Sequence, residues 1–326
     1  MKILVTGGAG YIGSHTAKAL ARAGHTPVVF DSLEKGHEWA VRWGPLVRGD
    51  LSDRAKILSA LREHEIEGVI HFAAYIAVGE SMKEPERYFR NNLCNSLNLL
   101  GAMEEAGVRR IVFSSTAAVY GMPERTPIPE DHPKAPVNAY GESKLMVERL
   151  IEWFGEIHGF ASARLRYFNA AGADPDGETG EDHDPETHLI PLVLAAAAGR
   201  IPSLQLFGAD YPTRDGTAVR DYIHVTDLAE AHVRAFEHIC RTGDRIVLNL
   251  GTGDGFTVRE VIDVAARVMG RAVPFVERPR RDGDPVELVA DSSAARRLLG
   301  WEPRHSSLDE ILETAWRWYS RHGEKH

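Results

Sequence analysis

A glycine-rich turn near the N-terminus constrains the fold more than any other segment. The turn, Gly8–Gly13, has the spacing G-x-G-x-x-G, follows the apolar run Ile3–Thr6 and precedes a helical pattern over Ser14–Ala23. Such glycines allow a tight turn and let backbone N–H groups approach a pyrophosphate at the positive end of a helix. A turn that only packs a helix against a strand is the alternative. The flanking strand and helix favour a dinucleotide site formed by Gly7, Gly10, Tyr11, Ile12 and Gly13.

An acidic residue at the end of the second predicted strand indicates which dinucleotide binds. Asp31 closes the run Pro27–Asp31, about 20 residues beyond the glycine turn. A carboxylate there accepts hydrogen bonds from the ribose hydroxyls of adenosine and repels a 2′-phosphate. We therefore expect NAD rather than NADP as the cofactor.

Strands and helices alternate through the first 170 residues. Predicted strands at 45–48, 68–72, 110–113 and 162–167 are separated by helical patterns at 52–64, 85–106 and 140–158. This alternation predicts an α/β fold, a Rossmann-type doubly wound parallel sheet. After Asn169 the pattern weakens into a loop over 172–188, followed by helices near 189–199, 226–240, 257–269 and 306–321 and strands near 204–207 and 246–250. We expect an NAD-binding domain at 1–170, to which later elements can return, and a smaller C-terminal α/β lobe at 171–326 that binds substrate.

Charge and cysteine content exclude several classes of protein. The chain has 38 Lys and Arg against 47 Asp and Glu, which gives a formal net charge of −9. This balance argues against a nucleic-acid or anionic-membrane partner. Cys94 and Cys240 are too few for a disulfide framework, and no apolar run approaches the roughly 18 residues that span a bilayer. We expect a cytoplasmic protein.

A tyrosine and a lysine four residues apart are the main candidates for catalysis. Tyr140 and Lys144 share one face of a predicted helix, where an ammonium group can stabilise a phenolate. Such a phenolate can act as a general base toward a sugar hydroxyl. Chance pairing is the alternative. The run Ser114–Thr116 favours catalysis, because it ends a strand where parallel sheets place their chemistry and because Thr116 can share the proton with Tyr140.

These motifs and five further segments resemble the UDP-sugar 4-epimerases of the extended short-chain dehydrogenase/reductase family. The further segments are His71–Ala74, Val78–Ser81, Arg166–Asn169, Gly208–Thr217 and Val219–His224. The resemblance extends over nearly the whole chain, and the stretch Phe207–His224 is its most specific part.

The resemblance implies an isomerase that interconverts UDP-glucose and UDP-galactose. Tyr140 removes the proton of the 4-hydroxyl, C4 is oxidised by NAD, and the hydride returns to the other face of the sugar. Lys144 holds the nicotinamide ribose and Thr116 assists proton transfer. The implied cofactor-binding residues beyond the glycine turn are Asp31, Ser32, Leu33, Asp50, Leu51, Phe72, Ala73, Ala74, Asn91, Tyr140, Lys144 and Phe168. The implied substrate-binding residues are Thr116, Tyr140, Asn169, His188, Leu189, Phe207, Arg220, Tyr222, Arg281 and Asp284.

Several residues bear on the choice among related reactions. Ala117 and Ala118 follow Thr116, where similar dehydratases carry an acid, so elimination of water is disfavoured. The chain departs from the family pattern at three positions: Ile76 in place of a lysine near the cofactor, His188 in place of an asparagine, and Leu288 where size decides whether an N-acetyl group fits. The alternatives are a 4-epimerase of UDP-pentoses or UDP-N-acetylhexosamines, an NAD-consuming dehydrogenase and a non-catalytic cofactor-binding module.

Two expectations concern metals and assembly. Asp182, His183, Asp184 and His188 carry possible ligand atoms, but their spacing matches no zinc pattern, so a loop without a metal is predicted. The helical stretches 85–106 and 140–158 are those through which similar proteins form dimers. We therefore expect a homodimer.

Overall fold

Parallel strands and covering helices form the body of the molecule. The computed structural model describes residues 1–281 and 283–322. Its strands are β1 (Lys2–Thr6), β2 (Thr26–Asp31), β3 (Leu46–Arg48), β4 (Gly68–His71), β5 (Arg110–Thr116), β6 (Ala161–Tyr167), β7 (Asn169–Ala171), β8 (Leu204–Phe207), β9 (Val219–Arg220), β10 (Tyr222–His224), β11 (Arg245–Leu250), β12 (Phe256–Thr257), β13 (Phe275–Arg278) and β14 (Glu287–Leu288). Its helices are α1 (Tyr11–Arg22), α2 (Arg54–Glu63), α3 (Val78–Ser81), α4 (Pro85–Tyr88), α5 (Asn95–Ala106), α6 (Ala139–His158), α7 (Leu189–Ala197), α8 (Val225–Thr242), α9 (Val258–Met269), α10 (Ser293–Leu299) and α11 (Leu308–His322).

The main sheet confirms the predicted Rossmann-type, doubly wound α/β fold. Seven strands lie in the order β11-β6-β5-β4-β1-β2-β3, and every pairing between them is parallel. From β1, the chain adds β2 and β3 on one side and β4, β5, β6 and β11 on the other. The strand order therefore reverses between β1 and β4, and open α/β sheets form their ligand crevice at such a point. The register pairs Thr6 with His71, so the two strands end side by side at this reversal.

Both faces of the sheet are buried, as parallel sheets require. On one face α1 and α8 pack over a core that includes Leu20 and Phe236. On the other face α2, α5 and α6 cover a second core that includes Ile57, Leu99 and Ile151. The central strands β1, β4 and β5 are therefore almost entirely shielded from water, whereas the edge strand β3 is partly exposed.

The segment predicted as one helix over 85–106 is interrupted, which corrects the sequence-based expectation. A π-helical turn at Phe89–Cys94 separates α4 from α5. The turn places Asn92 inward, where its side chain hydrogen-bonds the backbone of Tyr75. Apolar periodicity does not reveal such a turn, because the interruption satisfies polar groups rather than apolar ones.

Small sheets build the C-terminal part of the chain. β7 pairs with β10, β9 lies between β12 and β14, and β8 pairs with β13. A third core beneath α7, α9 and α11 includes Val193, Val261 and Ile311. From this part of the chain β11 returns to the main sheet beside β6, and α8 returns to pack on α1. Within the described residues no helix is both long and apolar enough to cross a membrane.

Candidate active site

The glycine turn forms a close-packed cradle at the start of α1. Gly7 has φ +70°, and a Cβ there would lie 2.7 Å from the Ala73 nitrogen. A Cβ on Gly13 would lie 2.2 Å from the Gly7 carbonyl oxygen. No side chain caps Gly10, the residue before α1, so the first N–H groups of the helix, at Tyr11 and Ile12, are open to an anion. These features fit the pyrophosphate of a dinucleotide.

Asp31 stands beside this cradle. One carboxylate oxygen accepts the Ala9 N–H at 3.0 Å and the other accepts the Leu33 N–H at 2.9 Å. Burial raises the pKa of Asp31, while these two backbone hydrogen bonds oppose that rise. Each oxygen has a second lone pair, so the carboxylate can also accept hydrogen bonds from ribose hydroxyls.

Most of the cofactor-binding residues predicted from the sequence lie at one edge of the main sheet. They directly follow or end parallel strands at their carboxyl ends, which share this edge. In chain order they are Gly7 after β1, Asp31 with Ser32 and Leu33 at β2, Asp50 and Leu51 after β3, Phe72, Ala73 and Ala74 after β4, and Phe168 after β6. Thr116, predicted as a catalytic residue, ends β5 at the same edge. Asn91 lies instead in the π-helical turn, where its side-chain amide donates to the side-chain Oδ1 of Asn92 at 3.0 Å.

Tyr140 lies in the first turn of α6. The Asn138 side chain begins this helix by accepting the Gly141 N–H at 2.8 Å. The Ser81 hydroxyl accepts the Tyr140 N–H at 3.2 Å, which ties the start of α6 to α3. The Thr116 side chain, at the end of β5, lies near enough to the phenol to lower its pKa. The structure therefore places two of the three residues predicted to be catalytic beside each other.

Lys144 lies one helical turn further along and is buried. Its ammonium donates to the Ser114 carbonyl oxygen at 2.9 Å and lies 4.9 Å from the centre of the Phe113 ring. Burial lowers the pKa of Lys144 to about 7, although the nearby Glu148 carboxylate raises it. Lys144 is thus fixed against β5, on the same helix face as Tyr140.

Burial raises the pKa of Tyr140 to about 12, and the neighbouring Thr116 side chain opposes that rise. The sequence-based expectation of a lower pKa depends on two positive charges together, the Lys144 ammonium and a nicotinamide ring, and it stays a prediction.

Buried polar groups that were not predicted as site residues support Tyr140 and Lys144. The Arg166 guanidinium contacts the Glu148 carboxylate at 2.6 Å, and the Ser115 hydroxyl donates to the same carboxylate at 2.5 Å. On the opposite side of α6, the Asn92 amide donates to the Ser143 hydroxyl at 3.1 Å. These contacts fix α6 against β5, β6 and the π-helical turn, and hence fix Tyr140. Arg166 and Ser115 had a signal in the sequence, since Arg166 lies in a segment that carried the resemblance and Ser115 lies in the run Ser114–Thr116.

The substrate-binding residues predicted from the sequence fall into pairs at the small sheets. Arg220 forms an ion pair with Asp284 at 2.5 Å, and the Arg281 guanidinium lies 4.0 Å from the centre of the Phe207 ring. Tyr222 is buried on β10 and pairs in register with Asn169 on β7. Leu189 begins α7 and His188 immediately precedes it.

The three departures from the family pattern lie in different surroundings. Ile76, between β4 and α3, is exposed. Because its side chain carries no charge, the cationic contact that the family pattern places there is absent. Leu288 on β14 packs against a core cluster that includes Tyr120 and Leu145. His188 contacts the carboxylates of Glu186 and Glu181, at 2.8 Å and 3.1 Å.

Fold and site together define a class of protein. A doubly wound dinucleotide fold that carries a Tyr-x-x-x-Lys helix against β5 is the architecture of the extended short-chain dehydrogenases/reductases. Residues 3–251 match the NAD dependent epimerase/dehydratase family, and the chain belongs to that family.

Similar proteins of known name and structure span the whole chain. A UDP-glucose 4-epimerase of Rhizobium meliloti (strain 1021) is 50% identical over 99% of this chain and 98% of its own length. The crystal structure of the UDP-glucose 4-epimerase from Brucella ovis, in complex with NAD, has a TM-score of 0.95 and 49% identity, and covers 97% of both chains. A UDP-glucose-4-epimerase from Stenotrophomonas maltophila, with bound NAD and formylated UDP-arabinopyranose, has a TM-score of 0.97 and 42% identity over 100% of both chains.

Proposed function

We propose that this protein is an NAD-dependent isomerase that interconverts UDP-glucose and UDP-galactose by inversion at sugar C4. The observation that carries the proposal is the contact between Tyr140 and Thr116, with Lys144 one turn away, at the sheet edge that also holds the glycine cradle. Relatives that are named for this activity and match the chain end to end support the same reaction.

The glycine turn, Asp31 and the strand ends would hold NAD, which supplies the acceptor and donor of the hydride. Tyr140 takes the proton of the 4-hydroxyl at its phenolic oxygen and later returns it. Thr116 shares that proton through its hydroxyl group. Burial raises the pKa of Tyr140 to about 12 even though Thr116 lowers it, and a positive charge at Lys144 would oppose the effect of burial further. A pKa near the operating pH makes proton transfer efficient.

We propose further that the two parts of the fold divide the substrate between them. The main sheet holds the cofactor and presents the sugar to Tyr140, while the C-terminal lobe grips the nucleotide. Arg220 and Arg281 suit the diphosphate, because planar guanidinium groups bind such oxygens in pairs. In the structure Arg220 already pairs with Asp284, which orients the guanidinium group before a substrate arrives.

A single incubation tests the reaction. Purified protein with no added cofactor is mixed with UDP-galactose, and the sugar nucleotides are separated afterwards. Appearance of UDP-glucose supports both the isomerase activity and a retained NAD. An NAD-consuming dehydrogenase would instead require added NAD and yield an oxidised sugar with stoichiometric NADH, and that result would replace the proposal.

A second candidate is the same inversion on other UDP-sugars. The Stenotrophomonas protein was crystallised with formylated UDP-arabinopyranose, which favours a test on UDP-pentoses. Because Leu288 is intermediate in bulk, UDP-N-acetylhexosamines are a further class of substrate to be tested. Assays with each UDP-sugar separately rank the candidates, and the highest kcat/KM identifies the preferred substrate class.

We also propose that the protein forms a homodimer through α5 and α6. Large apolar side chains are exposed there: Leu97 on α5 at 47%, and Trp153 and Ile157 on α6 at 63% and 67%. Apolar patches of this kind mark contact surfaces between proteins. Two copies related by a two-fold axis would bury the same residues on both sides.

A further inference from the structure

Four potential metal ligands converge in the loop that leads into α7. Glu181, His183, Glu186 and His188 each present one donor atom, and these atoms all lie within 4.8 Å of one another. The Nδ1 atoms of both histidines lie 3.1 Å from the same Glu181 oxygen. His188 Nδ1 lies 2.8 Å from one Glu186 oxygen, and His183 Nδ1 lies 4.0 Å from the other.

The four donor atoms lie close enough together to share one tetrahedral zinc ion. With zinc bonds of about 2.0–2.2 Å to nitrogen and oxygen, neighbouring ligand atoms lie roughly 3.3 Å apart. Two of the separations, both 3.1 Å, are close to this value, and those of 2.8 and 4.0 Å require small movements of the Glu186 and His183 side chains. Two carboxylates balance the charge of one divalent ion, and two imidazoles select zinc over calcium or magnesium, which prefer oxygen ligands. We propose that Glu181, His183, Glu186 and His188 bind one Zn²⁺ ion, which fastens the segment 181–188 to the start of α7.

Neighbouring groups already orient the ligands. One Glu186 oxygen accepts the backbone N–H groups of Thr187 and His188, both at 2.7 Å. The Trp318 indole donates to the Glu181 carbonyl oxygen at 3.0 Å, which fixes the backbone of that ligand. Such outer contacts hold metal ligands in place and raise affinity. The Nδ1 atoms of both histidines already face the Glu181 carboxylate at 3.1 Å, so the donor atoms that a zinc ion needs are directed toward one point.

A second cluster of acidic side chains in the same loop provides an internal contrast. Asp174, Asp176 and Glu178 also lie close together, but the Lys18 ammonium contacts all three, at 2.7, 2.8 and 2.7 Å. This cluster therefore has its own cation and no imidazole ligand. The first cluster has two carboxylates and two imidazoles, whereas the second has three carboxylates and no imidazole. A comparison of the two clusters therefore distinguishes zinc coordination from a general attraction of cations to an acidic loop.

Metal titrations test the site directly. The full-length protein is treated with a chelator, dialysed, and titrated with Zn²⁺ by calorimetry and with Co²⁺ by visible absorption. We expect one Zn²⁺ per chain and the intense visible bands of tetrahedral Co²⁺. The variants His183→Gln and Glu181→Gln should weaken Zn²⁺ binding by at least about 10- to 100-fold, the loss usual for removing even an outer partner. Circular dichroism verifies that each variant is folded.

Asp176→Asn is the matched control, because it removes one negative charge from the same loop without removing a ligand. Its Zn²⁺ affinity should equal that of the native protein. Equal affinity in native protein and His183→Gln, an equal loss in Asp176→Asn, or an octahedral Co²⁺ spectrum would each overturn the site. None of these measurements depends on epimerase activity, so the outcome is independent of the proposed function.

Discussion

The hydroxyl of one tyrosine carries the proposed chemistry, and its surroundings explain why a phenol can serve. Burial raises the pKa of Tyr140 to about 12, which is too high for a general base at neutral pH, and Thr116 opposes that rise. A positive charge close to the phenol, such as the Lys144 ammonium, would oppose it further. The reactivity of Tyr140 therefore depends on neighbours that are fixed by α6 and β5.

Tyr140→Phe should reduce kcat by about 10²- to 10⁴-fold, the usual contribution of a general base. Binding of NAD and UDP-glucose should persist, because the ring that packs in the site is retained. Tyr167→Phe is the matched control: it removes another buried phenol, which bonds Ser114 rather than Thr116. A loss of kcat as large in Tyr167→Phe would show that Tyr140 is not the specific base.

Lys144→Met should make the activity strongly dependent on pH. Without the ammonium group, burial leaves the phenol protonated, so kcat should rise about tenfold per pH unit between roughly pH 7 and 10. The native enzyme should show a weaker dependence near pH 7, because burial lowers the pKa of Lys144 to about 7 and the fraction of Lys144 that is still charged there favours the phenolate. Lys144→Arg keeps a positive charge and should restore part of the native profile. Initial rates at saturating NAD measure the effect, and identical profiles for native and Met variants would contradict it.

The elements of the sheet bring distant residues to one edge, and the glycine turn is where backbone shape matters most. Gly13→Ala places a Cβ 2.2 Å from the Gly7 carbonyl oxygen, so the turn must open or α1 must shift. We expect loss of bound NAD and a lower unfolding temperature, measured by cofactor content and calorimetry. Gly79→Ala on α3 is the control, since its Cβ meets nothing within 4 Å. If Gly13→Ala retains NAD, the glycine turn does not require the absence of a Cβ at residue 13 to bind the cofactor.

The sequence predicts elements where periodicity is strong and fails where polar contacts decide the shape. β1, α1, α6 and the glycine turn follow from apolar spacing and helix signals. The π-helical turn at Phe89–Cys94 does not, because it depends on hydrogen bonds of Asn92 with Tyr75, which is distant in sequence. The convergence of Glu181 and Glu186 with two histidines is equally invisible, since a spacing of one and two residues matches no known ligand pattern. The short strands β9, β12 and β14 escape prediction because they have two residues each.

At the scale of the whole molecule, the proposed substrate site depends on residues from both the main sheet and the lobe. Arg220 lies on β9, in the small sheets, whereas Tyr140 is held by α6 against the main sheet. Arg220→Ala should therefore raise KM for UDP-sugars, because a charge-assisted contact is worth about 1.5–3 kcal/mol, or roughly 10- to 150-fold. Steady-state kinetics with retained NAD measure it. An effect confined to NAD affinity would contradict its placement.

The proposed dimer interface can be tested by a substitution on α6. Ile157 on α6 is 67% exposed, and its burial in a two-fold interface would be repeated on both subunits. Ile157→Asp therefore places two carboxylates in an apolar contact, where an unpaired charge is costly, and should convert the dimer to a monomer. Val276→Asp on β13 is the control: Val276 is 41% exposed but lies in the lobe, away from α5 and α6. Sedimentation analysis compares the variants with the native protein. The interface lies elsewhere if Ile157→Asp stays dimeric, and the dimer itself is excluded if the native protein sediments as a monomer.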